Sequence, residues 1–185
     1  MHENEHVISV LNNAKNAAKN SDVILLKQLS NETIHSAAIY QDTDNILVAI
    51  VIYALSKLIE RRNSFPEKNY QKYLNYYLKT IDESIICISK NKCDIFRNNV
   101  DDLSNVKGLS DDLKKNVQDV FQKARINKAS KIYEHGISME ATAKLLGISL
   151  WELAEYTGQT SISDMNQGKT LDVKKRIKKA MEFFE

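Results

Sequence analysis

Residues 129–158 read ASKIYEHGISMEATAKLLGISLWELAEYTG, and the spacing inside this stretch decides the fold. Ser138 stands before a short helical run, Met139 to Leu146, where its side chain can accept from a free backbone N–H of the first turn. Gly147 follows at the place where a helix ends on a left-handed residue. Ile148 then points inward across the turn, and Ser149 is placed to cap a second helix. Ala143, four residues before Gly147, is small enough to let that second helix cross closely. Leu146, Ile148, Leu153 and Tyr156 are placed to fill the angle between the two. A small residue, then glycine, an apolar residue, serine and another apolar residue in this order predict a helix-turn-helix. An ordinary helical hairpin with a glycine turn obeys the same local rules, so the pattern needs support from its context.

The rest of the chain agrees with long helices. One proline, Pro66, and five glycines in 185 residues are too few for a many-turned β protein, and the length allows one sizeable domain or two small ones. Cys87 and Cys93 lie six positions apart with no histidine close by, which fits neither a zinc knuckle nor a redox Cys-x-x-Cys. They read as thiols packed between helices of a reduced, cytoplasmic protein. The polar start MHENEHVISVLNNAKN does not resemble a secretory signal. The longest apolar run, 46–55, has ten residues, against the about 18 needed to span a bilayer, so no membrane role is expected.

Ahead of the opening stretch the apolar period predicts a bundle. A weakly amphipathic helix from Val7 to Asn20 is followed by Ser21, which offers a cap, and then by Leu25, Leu26, Leu29, Ile34, Ala37 and Ala38 at helical spacing. Asp42 or Asp44 caps the run ILVAIVIYALSKLIERR. Its β-branched residues also suit a buried strand, but the pattern continues to Leu58 and Ile59 at helical spacing. Apolar nearly all round, it belongs at the centre of a bundle. Each large side chain fully buried there contributes roughly 1.5–3 kcal/mol. Pro66 opens the next helix, along which Tyr70, Tyr73, Leu74, Tyr77, Leu78, Ile81, Ile85 and Ile88 form one side. Tyrosines interleaved with Lys68, Lys72 and Lys79 could form a stacking platform for single-stranded nucleic acid. Their adherence to the apolar period instead reads them as residues of the core.

A shorter helix from Asp94 to about Val106 leads to a loop at Lys107-Gly108, which sets an expected boundary. The result is an all-α chain in three parts: a helical bundle at 1–107, a helix-turn-helix domain at 108–158, and a tail at 159–185. Ser110 starts the long helix that carries Leu113, Val117, Val120, Phe121, Ala124, Ala129 and Ile132. Lys123, Arg125, Lys128 and Lys131 on this helix have no acidic residue between them and are candidate phosphate contacts. The tail is a polar linker followed by a basic amphipathic helix. Val173, Ile177, Met181 and Phe184 recur on one side, with Lys174, Lys175, Arg176, Lys178 and Lys179 elsewhere on it. Such a segment docks on a partner or folds back on its own domain.

Net charge is only +2, and residues 1–107 and 108–158 are each neutral, so the excess lies in the tail. In a DNA-binding helix-turn-helix the start of the second helix meets base edges. The candidate DNA-binding residues are therefore Arg125, Lys128, Lys131, Lys144, Ser149, Leu150 and Trp151. Leu150, Trp151 and Glu152 are poor base readers, because arginine, lysine and amides dominate such contacts and phosphates repel glutamate. An exposed Leu-Trp pair suits a protein interface better. The chain has no phosphate-binding glycine loop, no His-Glu-x-x-His and no Gly-x-Ser-x-Gly, and its histidines, His2, His6, His35 and His135, are scattered. No catalytic residue, metal ligand or cofactor is expected, although a carboxylate site assembled in three dimensions stays open.

The run formed by Tyr133, Gly136, Ile137, Ser138, Ala143, Gly147, Ser149, Trp151 and Glu152 resembles the helix-turn-helix of a family of small prokaryotic antitoxins. The resemblance covers about thirty residues, and Ser-x-Trp-Glu is its most specific element. It implies a regulator that binds its own operator in double-stranded DNA as a homodimer. It also implies that the chain after the motif wraps a toxin, often a PIN-type ribonuclease. Trp151, Lys174, Lys175, Arg176, Lys178, Lys179 and Phe184 are then the expected partner contacts, the cations neutralising an acidic nuclease site. The first hundred or so residues have no counterpart in that family. The alternative is a helical interaction adaptor whose helix-turn-helix docks a protein rather than DNA.

Overall fold

The computed structural model describes residues 4–40, 42–105 and 111–164. Among them the regular structure is entirely helical, with eight α-helices and one 3-10 turn at Arg62–Ser64. The helices are α1 (Asn4–Lys19), α2 (Val23–Tyr40), α3 (Thr43–Glu60), α4 (Glu67–Ser89), α5 (Cys93–Ser104), α6 (Asp111–Glu134), α7 (Met139–Leu146) and α8 (Leu150–Asp164). No helix among the described residues is long and apolar enough to cross a membrane.

The all-apolar run forms α3, and α3 lies at the centre. Asp42 caps it, its carboxylate accepting from the Asp44 N–H at 2.9 Å. Ile46, Val48, Ala49, Ile50, Val51, Ile52, Ala54 and Leu55 are all buried, as a helix enclosed on every side requires. Helices α1, α2, α5 and α6 pack on it, and α4 closes the bundle against α1 and α5. Tyr70, Tyr73 and Tyr77 of α4 face this core. Tyr73 donates its phenol to the Leu103 carbonyl at 2.7 Å, and Tyr77 donates to the Val51 carbonyl at 2.8 Å. Burial pushes both phenols above their ordinary range, so they stay neutral donors. These rings are core residues and offer no platform for bases.

Two expectations change. Ser21 does not cap α2. It sits in the left-handed region at φ 54°, and the neighbouring Asp22 carboxylate takes the cap by accepting from the Leu25 N–H at 2.9 Å. Gly158 does not end α8, which runs on to Asp164. A single glycine costs a helix only about 1 kcal/mol relative to alanine, too little to stop it. The buried core also extends from α3 to α6. The residues Leu113, Val117, Phe121, Ala124 and Ile132 of α6 are buried, and α6 packs on α3, α2 and α5. The Phe121 ring stacks on Tyr77 with centroids 6.2 Å apart, and Arg61 donates to Asp119 at 3.0 Å. One helix thus serves the bundle and also carries α7 and α8, both of which pack on it.

Candidate functional site

The turn between α7 and α8 is built from local rules. The Ser138 hydroxyl accepts from the Ala141 N–H at 3.2 Å and so caps α7. Gly147 ends that helix at φ 64° and ψ 33°, the left-handed conformation that favours glycine. Ala143, Leu146, Ile148 and Leu153 are buried where α6, α7 and α8 meet. Tyr156 is half-buried and its phenol oxygen accepts from the Asn127 side chain at 2.9 Å, tying α8 to α6.

The start of α8 is a reciprocal capping box. The Ser149 hydroxyl accepts from the Glu152 N–H at 3.2 Å, while the Glu152 carboxylate accepts from the Ser149 N–H at 2.9 Å and from its hydroxyl at 2.7 Å. Gln122 on α6 donates to the other Glu152 oxygen at 2.8 Å. These bonds, those from Ser149 first, hold the Glu152 carboxyl below the usual carboxylate range. Ser149 is therefore engaged in helix initiation and is not a free base-reading hydroxyl. The Ser-x-x-E spacing carried this signal in the sequence, and Glu152 has a structural task that explains its presence in a would-be recognition helix.

Leu150 and Trp151 stand apart from these networks. Leu150 is 47% exposed and Trp151 86% exposed, so the indole lies almost wholly in solvent. This exposed apolar pair is the marked feature of α8 among the described residues.

The basic candidates separate. Lys128 is not on a phosphate-facing surface. It is fully buried, its ammonium donating to the Asn31 side chain at 2.8 Å and lying 4.4 Å from the centre of the Tyr53 ring. Burial, with a smaller effect of nearby Lys131, brings its pKa down from 10.5 to about 7. The reason is positional. Val117, Phe121, Ala124, Lys128 and Ile132 form one stripe at helical spacing, and Lys128 follows that stripe into the core. Lys131 is half-buried and pairs with Glu134 at 2.8 Å. Arg125 and Lys144 come together from α6 and α7 along one cleft. Lys174, Lys175, Arg176, Lys178, Lys179 and Phe184 lie outside the described residues.

Two features had no sequence signal. The same cleft is completed by Thr43, Ile46, Leu47 and Ile50 of α3, about eighty residues upstream of Arg125. His35 and His135, one hundred residues apart, bring ring nitrogens within 3.3 Å across α2 and the end of α6. His135 Nδ1 donates to the Lys131 carbonyl at 2.7 Å, which leaves its Nε2 to face His35. Among the described residues no group of three or more His, Cys, Asp or Glu side chains is placed to hold a metal ion.

The described residues are all-α, with the short turn between α7 and α8 seated on α6. Comparisons with models of known families, with curated proteins and with solved structures find no match.

Proposed function

We propose that the chain is a helix-turn-helix regulator of antitoxin type, acting by binding, with α7 and α8 as the motif. The observation that carries this reading is the turn itself. A left-handed Gly147 joins two capped helices seated on α6, within the same run of residues that resembles the antitoxin motif. Its targets are duplex DNA near its own gene, bound as a homodimer, and a PIN-type ribonuclease held by the chain after α8. Among the basic candidates in the described residues, Lys128 is buried and Lys131 is paired with Glu134, which leaves Arg125 and Lys144 at the surface without a carboxylate partner. Two phosphate contacts from each protomer give a dimer about four, and a log–log salt slope of roughly −3 to −4. A gel-shift with the DNA upstream of the gene, from 50 to 200 mM salt, is the test, with those concentrations set by the counterion-release range. Absence of a discrete complex at the lowest salt sinks the DNA reading.

A second reading is favoured by Trp151. In the Ser-x-Trp-Glu element, Ser149 and Glu152 serve the cap, while among the described residues the indole stands exposed. Trp151 then anchors in a pocket of a protein partner, as exposed tryptophans at interface centres do. Co-purification with the product of the neighbouring gene, with wild type and with Trp151→Ala, separates this from a tail-mediated contact. Retention of the partner by Trp151→Ala refutes the anchor; its loss on deleting Leu171 to Glu185 instead assigns the contact to the tail.

A further inference from the structure

The cleft shared by Arg125 and Lys144 has an aliphatic surface that neither reading uses. It is a half-open cleft of about 330 Å³ between the start of α3 and the end of α7. That lies at the low end of small-molecule pockets, which run from about 300 to 1,000 Å³. At the roughly 30 Å³ that one water occupies in the liquid, it holds on the order of ten non-hydrogen atoms. The partly buried Leu47 and Leu145 give it an aliphatic surface, backed by the buried Ile46, Ile50 and Leu146, and Arg125 and Lys144 add two cations.

Those cations differ from their neighbours. Arg61 and Lys123 both reach Asp119, Arg97 clasps Asp44, and Lys131 holds Glu134. Arg125 and Lys144 have no such carboxylate among the described residues, although both line a cleft. The nearby acids are engaged elsewhere: Asp42 caps α3, and Asp44 is held by Arg97 through both carboxylate oxygens at 2.7 and 3.1 Å. On its other side Arg125 borders a second cleft with Asp101, but no ion pair joins the two. The first turn of α3, at Thr43, adds the positive end of a helix dipole to the same cleft.

We propose that this cleft binds a small amphipathic anion, a carboxylate carried on a short aliphatic body. The cations hold the head group, the arginine through paired hydrogen bonds, and the aliphatic lining buries the body. A bare inorganic anion leaves the apolar lining unfilled, and a neutral hydrocarbon leaves both cations unmatched. A molecule seated here touches α3 and Gly147 at once and so reaches the turn before α8. If the DNA reading holds, it also occupies the two phosphate candidates, but the binding step does not depend on that reading.

Octanoate, with ten non-hydrogen atoms, is the probe, titrated into the full chain without DNA or partner and followed by amide NMR. Saturable shifts are expected at Leu47, Ile50, Leu145 and Gly147, with octanol and acetate each binding at least tenfold more weakly. Lys144→Gln alone and the double variant Arg125→Gln, Lys144→Gln should weaken octanoate progressively, the double at least tenfold, with unchanged helical circular dichroism. Octanol binding as well as octanoate, no saturable shift at these amides, or an unaltered affinity in the double variant each overturns the proposal. A negative gel-shift leaves this result untouched, so the two readings fail separately.

Discussion

Replacing Lys128 by methionine should stabilise the protein at and below neutral pH, and the gain should vanish as pH rises. The buried ammonium carries a desolvation cost. Lowering its pKa from 10.5 to about 7 corresponds to roughly 5 kcal/mol at about 1.4 kcal/mol per pH unit. Two contacts offset that cost. The Tyr53 face contributes about 0.5–2 kcal/mol as a cation–π interaction, and the Asn31 bond about 1.5–3 kcal/mol as a hydrogen bond to a charged group. Methionine keeps the length, packs its thioether on the same ring, and leaves Asn31, which is exposed, to water. The net expectation at pH 6 is a gain of between zero and about 3 kcal/mol, up to several degrees in Tm for a chain of this size. The sign with pH follows from linkage. Below about pH 7 both folded and unfolded chains hold the proton and the wild type bears the full burial cost. Between about 7 and 10.5 the unfolded chain still binds the proton and the folded chain does not, so wild-type stability rises with pH. By pH 9 this recovers roughly 2–3 kcal/mol and removes the advantage of the variant. Urea denaturation of both proteins at pH 6 and pH 9, compared as a difference, is the assay. A variant less stable than wild type by the same amount at both pH values would show that the charge supports the core, and the reasoning would be wrong.

Other substitutions test the turn. Gly147→Ala should cost about 1–2 kcal/mol purely through its left-handed backbone, because a Cβ there meets nothing within 4 Å; thermal unfolding reads this, and no loss would contradict the strain. Ser149→Ala should cost about 1 kcal/mol by removing the capping hydroxyl at the start of α8, seen as lower amide protection of the first turn. Glu152, with its pKa held low, stabilises α8 above the unfolded carboxylate range and loses that effect as pH falls through the folded value. In Glu152→Gln the acid-dependent weakening of those amides should therefore be absent. Trp151→Ala should leave unfolding within about 0.5 kcal/mol of wild type, since the indole is 86% exposed. A larger loss would mean that the ring packs on its own chain.

Much of the fold was readable because it rests on short-range rules. The apolar period placed α3 at the centre, Asp42 and Ser138 announced their caps, and Gly147 marked its turn. Lys128 was misread because its charge was given more weight than its position on the stripe of Val117, Phe121 and Ala124. The stripe was visible; what the sequence lacked was Tyr53 and Asn31, which make the burial tolerable and come from other helices. The α8 extension was hidden because Gly158 and the polar residues after it resemble a linker, whereas the helix continues through them. The cleft of Arg125 and Lys144 was out of reach for the same reason as Lys128. Its lining comes from α3, and only packing of distant segments brings that surface to α7.

The double duty of α6 bears on how this chain can be cut and recombined. At 24 residues and 1.5 Å per residue the helix is about 36 Å long, and its buried stripe begins in its first turn at Leu113. A fragment starting at residue 108 would carry α7 and α8 on a scaffold whose Val117, Val120, Phe121 and Ala124 had lost their cover. The two-helix turn is thus not a portable cassette. It can be exchanged between proteins only with the bundle attached, and a gene fusion joined at residue 108 would transfer a sticky, unfinished helix in place of a working module.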